Sequence, residues 1–94
     1  LELDPDNPAI LDSAGWIHYH KGRHEEALEY LGKAYERLQD PEIAAHLGRV
    51  LWAVDRQEEA RTLWRRTLEE TDNTEALKPL LEILEELDLQ PETL

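Results

Sequence analysis

A register of 33 residues runs through this chain and limits its fold more than any other feature. Gly15 is matched by Gly48, Ala27 by Ala60, Leu31 by Trp64 and Ala34 by Thr67, each pair 33 apart. The run Arg23-His24-Glu25-Glu26-Ala27 returns as Arg56-Gln57-Glu58-Glu59-Ala60. Self-similarity at this period marks stacked copies of one supersecondary unit, because a single copy cannot bury its own apolar face.

Helix signals follow the same register. Asn7-Pro8 supplies an N-cap followed by Pro at the first helical position, and Asp40-Pro41 does so again one repeat later. Gly22-Arg23 and Asp55-Arg56 break the chain at equivalent points. Helices are therefore expected near 8–21, 24–38, 41–54 and 57–71, with apolar residues at three- and four-residue steps. A fifth helix begins near 72–75, where Asp72 and Glu75 have capping-box spacing. Pro79 sits inside it and is expected to kink or restart it, since proline lacks an N–H and clashes with the preceding turn. No segment alternates as a strand does. The expected division is the tail of a preceding repeat at 1–6, a first unit at 7–40, a second at 41–73, a closing helix at 74–88 and a loose tail at 89–94.

Composition narrows the function. Apolar residues make up 40% of the 94, enough for a packed core. The formal net charge is −12, spread as −5 over residues 1–40, +1 over 41–68 and −8 over 69–94. Such a charge repels phosphate backbones and anionic membrane surfaces, so neither nucleic acid nor direct membrane contact is expected. The absence of Cys removes disulfides, thiolate zinc sites and a Cys nucleophile from these residues. The chain has no Met, even at position 1, and reads as cut from a longer parent.

These features resemble the tetratricopeptide repeat, a 34-residue helix–turn–helix with the pattern W-x2-L-G-x2-Y, A-x3-F and P. The carriers are Ala14-Gly15, His18, Gly22, Ala27, Leu31 and Ala34 in the first unit, and Leu47-Gly48, Leu51, Ala60 and Trp64 in the second. Leu11 and Ala44 replace the usual Trp, Asp55 replaces the turn Gly, and the second unit is one residue short. The resemblance implies an all-α, right-handed superhelical stack closed by a C-terminal helix. It also implies a scaffold that binds a peptide or protein segment in a concave groove and catalyses nothing. A structural or self-associating module, forming a homo-oligomer, is the alternative. More narrowly, Asp12-Ser13-Ala14-Gly15-Trp16 and Ile43-Ala44-Ala45-His46-Leu47-Gly48 are similar to the C-terminal repeats of bacterial envelope proteins of this family, which implies an envelope or periplasmic setting.

By the same resemblance, the groove positions are Ala9, Asp12, Trp16, Tyr19 and His20 in the first unit, Glu42, Ala45, Arg49, Trp52 and Ala53 in the second, and Lys78 and Glu82 on the last helix. Trp16 and Trp52 stand out, since exposed aromatics cost solubility unless they contact something. Arg49, three residues before Trp52, is expected to set a cation beside that ring. Trp64 takes the family's core Phe position, and His18 its core Tyr position. The Lys–Asn clamp for C-terminal carboxylates is missing, because Asp12 and Trp16 stand at its first-unit positions. His18, His20, His24 and His46 lack zinc-type spacing, so no metal or cofactor is expected. Arg61, Arg65 and Arg66 have acids at helical spacing and are expected to form local ion pairs.

Overall fold

The computed structural model describes residues 6–94, and every regular element among them is helical. The order is α1 (Pro8–His20), α2 (His24–Arg37), α3 (Pro41–Ala53), α4 (Gln57–Glu70) and α5 (Thr74–Glu86), followed by a 3-10 turn at Pro91–Thr93. The first four helices each end one residue before the expected point. Residues 1–5, read as the tail of a preceding repeat, lie outside the described residues.

The 33-residue register is written in backbone chemistry three times over. Asn7, Asp40 and Asn73 each cap a helix. Their side-chain oxygens accept from the amides of Ala9 at 2.9 Å, Glu42 at 2.8 Å and Glu75 at 2.9 Å. Asn73 thus does the work expected of Asp72. At the far ends, Gly22, Asp55 and Asp88 take positive φ of 78°, 68° and 58°. The next residue then donates back five positions: Arg23 to the His18 carbonyl at 2.9 Å, Arg56 to Leu51 at 2.9 Å and Leu89 to Leu84 at 2.8 Å. This is the Schellman closure, which satisfies carbonyls the helix leaves open. By cap, turn and closing bond, α5 is built like α1 and α3.

Two expectations about the C-terminal part give way. The α5 helix runs unbroken from Thr74 through Pro79 to Glu86. Pro79 falls early in the helix, so the carbonyl it cannot bond is in the first, exposed turn. Residues 89–94 are not a loose tail: Leu89 and Leu94 pack against the main core cluster, and the Arg65 Nε–H donates to the Leu94 carbonyl at 2.9 Å.

Within each unit the helices cross over a glycine. A Cβ on Gly15 would lie 2.6 Å from Leu31 Cγ, and one on Gly48 would overlap the Trp64 indole. Ala27, Leu31 and Ala34 of α2, and Ala60 and Trp64 of α4, are fully buried at these crossings. Thr67, which stands where Ala34 does, is also buried and donates its hydroxyl to the Leu63 carbonyl at 2.8 Å. Between units the packing differs. α3 rests mainly on α2, with Ile43 against Leu11 and Ala34, and Val50 against Ala27 and Leu31. α5 rests on α3 and scarcely meets α4.

The basic cluster on α4 does not form the expected ion pairs. The Arg61 guanidinium lies 5.3 Å from the Trp52 ring centroid and Arg65 is spent on the Leu94 carbonyl, while Arg66 has no ion-pair partner among the described residues. The local pair on this helix is instead Arg56 with Glu59, at 2.5 and 2.7 Å. The hydrogen bond from Arg56 holds the Glu59 carboxyl below its ordinary range. Both groups are exposed, so water screens the pair and it adds little to stability.

Two outcomes follow from the crossings and the turns. Trp64→Ala is expected to cost about 3–5 kcal/mol in denaturant unfolding. Trp64→Phe should cost much less, because it fills most of the same space and removes a buried indole N–H that has no partner among the described residues. Asp55→Gly should raise stability by up to about 1 kcal/mol, since it relieves a non-glycine residue at positive φ. Equal melting temperatures for wild type and Trp64→Ala would remove the indole from the core.

Candidate interaction face

Of the twelve expected groove positions, Trp16, Tyr19, His20 and Arg49 are drawn into one patch along α1 and α3. The Trp16 ring stacks on Tyr19 with centroids 5.0 Å apart, and His20 meets its edge at 4.9 Å. Tyr19 in turn contacts His20 at 5.3 Å and His24 at 5.4 Å. The Arg49 guanidinium lies 5.7 Å from the Tyr19 centroid. Trp16, Tyr19 and His20 come from successive steps of one helix, so a single turn sets their order. Arg49 arrives from α3, and only the stacking of the two units brings it there. Trp16, Tyr19 and Arg49 are half-buried and His20 is exposed, so part of each side chain in the patch is open to solvent.

Asp12 is withdrawn from this surface. It is 9% exposed, and its Oδ1 lies 2.8 Å from His46 Nδ1. Trp16 covers the same imidazole, stacked at 4.0 Å with 19° between the planes. A buried carboxylate needs a partner, and His46 supplies one across the gap between α1 and α3. The two helices touch little otherwise, so this bond and this stack form much of the contact between α1 and α3. His46 was not among the expected site residues. No local spacing signals it, since it lies 34 residues from Asp12 and the pairing exists only after the units stack.

Trp52 also departs from expectation. It does not sit beside Arg49. Its ring stacks on Trp64 at 5.8 Å and Arg61 lies over it, so it belongs to the crossing of α3 and α4. Arg49, three residues earlier, points to Tyr19 instead. Lys78 is exposed on α5 and has neither a ring nor an ion-pair partner among the described residues. His18 is half-buried and packs on Tyr30 with centroids 5.2 Å apart, at the margin of the core and not within it. Among the described residues no three His, Asp or Glu converge as a metal-binding group, and no helix is long and apolar enough to cross a membrane.

The profile of the tetratricopeptide repeat matches residues 9–39, which are the first helix pair. A TPR repeat-containing protein of Pseudomonas aeruginosa is 55% identical over 47 residues, half of this chain. That stretch spans 8% of the relative's own length. With its helix pairs in register, its crossings over glycine and this match, the first helix pair is a tetratricopeptide repeat, and repeats of this kind are generally protein-interaction modules.

Proposed function

We propose that the chain binds a peptide or protein segment along the face of α1 and α3, with Trp16, Tyr19, His20 and Arg49 as the contact patch. The observation that carries this reading is the half-exposed ring cluster with a cation laid against it. Aromatic rings and arginine supply most of the energy in protein interfaces, and their stacking here holds them in place before a ligand arrives. The role is binding, not catalysis: the Asp12–His46 pair is covered by Trp16 and serves to join the units. The net charge of −12 favours a protein partner over nucleic acid.

Self-association is a second reading, and a separate observation supports it. Ile43 and Val50 of α3 are 4% and 0% exposed beneath α2. Their equivalents on α1, Ile10 and Ile17, are 36% and 55% exposed. This face has the form of one that packs on another helical unit.

Panning a random 12-residue peptide library on the chain tests the first reading. Enriched peptides should bind Trp16→Ala and Arg49→Ala more weakly, by about 2 kcal/mol or roughly thirtyfold for a central anchor, with both variants folded. Unchanged affinity for both variants would overturn it. For the second reading, light-scattering mass measured across concentration should rise for the wild type and stay monomeric for Ile17→Glu. A wild type that is monomeric throughout would dismiss self-association through this face.

A further inference from the structure

Away from the ring patch, α2 and α4 stand apart and hardly touch. The space between them is a cavity of about 400 Å³, open to solvent. Leu47 and Leu51 of α3 contribute its apolar lining together with Tyr35 of α2 and Leu63 of α4. The size suits a bulky side chain and matches small binding pockets in general. Along α4, Glu58 and Arg66 line the cavity two turns apart, so the carboxylate and the guanidinium mark opposite ends.

A second observation singles out the same side of α2. Gly32 lies in the middle of the helix, where glycine weakens it relative to alanine. The other glycines of known surroundings have a reason: Gly15 and Gly48 admit a crossing helix, and Gly22 takes a positive φ. A Cβ on Gly32 would meet nothing within 4 Å. The register does not call for glycine either, since Arg65 stands at the equivalent place on α4. Gly32 is one turn before Tyr35 on the same stripe, so its missing side chain keeps the approach to the cavity clear.

We propose that this cavity is a second binding site, one that takes a bulky apolar side chain flanked by a cation, from a basic segment of another protein. The apolar residue seats on Leu47, Leu51 and Leu63 against the Tyr35 ring. The cation lies toward Glu58 and away from Arg66. The net charge of −12 draws a basic segment toward the molecule as a whole; residues 41–68 carry +1, so Glu58 and the apolar lining decide where it stops. This site shares only α3 with the ring patch, through Leu47 and Leu51 rather than Arg49, and does not depend on it.

The probe is the peptide acetyl-Lys-Lys-Leu-Phe-Lys-Lys-amide, titrated into the labelled chain and followed by amide chemical shifts. Two controls keep one feature each: the same peptide with Ala-Ala at its centre, and the same peptide with Glu in place of Lys. Saturable shifts at Gly32, Leu47 and Leu63 are expected, with both controls at least tenfold weaker. Gly32→Leu should fold, melt higher by about 4–8 °C because it adds a helix former in open space, and bind the probe at least tenfold more weakly. Glu58→Gln should weaken the probe and spare the fold. Arg49→Ala should leave this binding unchanged, which separates it from the ring patch. Equal binding by Gly32→Leu, equal binding of the Ala-Ala control, or shifts confined to α1 and the Tyr19 region would overturn the proposal.

Discussion

The structure depends on how closely two helices can approach within a unit. At Gly15 and Gly48 the backbone of one helix meets a side chain of its partner where even a methyl group would not fit. Interior packing is dense and tolerates little overlap, so these two positions set the separation of each pair. Leu31 fills the first crossing and Trp64 the second, and both are fully buried. The larger indole also reaches Trp52, with the rings 5.8 Å apart, and Arg61 completes that stack. One change of residue at an equivalent place, Leu31 to Trp64, therefore alters what the neighbouring ring can do.

That change explains why the two units do not present the same surface. In the first unit Tyr19 is held within the ring patch, where Arg49 reaches it. Its equivalent in the second unit, Trp52, is turned toward α4. The junctions differ too. α1 and α3 are bridged by the Asp12–His46 bond, whereas the equivalent pair one unit on is Ala45 and Pro79, and there α3 and α5 lie closely together. A polar wedge at one junction and small apolar contacts at the next give the array an uneven profile. The ring patch lies at the wedged junction.

The last helix shows how a repeat can keep its backbone while losing its crossing. α5 has the Asn73 cap, the positive φ at Asp88 and the Leu89–Leu84 bond of the preceding units. Leu81 stands where Gly15 and Gly48 stand, and it is 38% exposed. The side chain that blocks a close crossing is thus left at the surface, while Leu77, Leu80, Ile83 and Leu84 are buried beside it.

The sequence by itself determined the helices, their limits and their pairing. Caps, proline at the first turn, the left-handed turn residue and three-to-four spacing all act between residues close in the chain, so their effect needs no tertiary context. The core place of Trp64 was legible for the same reason, through the register. Even there, neighbouring signals competed: Asp72 offered the capping-box spacing, but Asn73 lay in register and made the bond. The site was legible only in part. Trp16, Tyr19 and His20 share one helix, and their grouping follows from its pitch. The Arg49–Tyr19 contact, the Asp12–His46 bond, the turning of Trp52 toward Trp64 and the cavity between α2 and α4 were decided by tertiary structure. Each joins residues from different helices, and depends on the angle and spacing at which those helices pack, which no local spacing encodes.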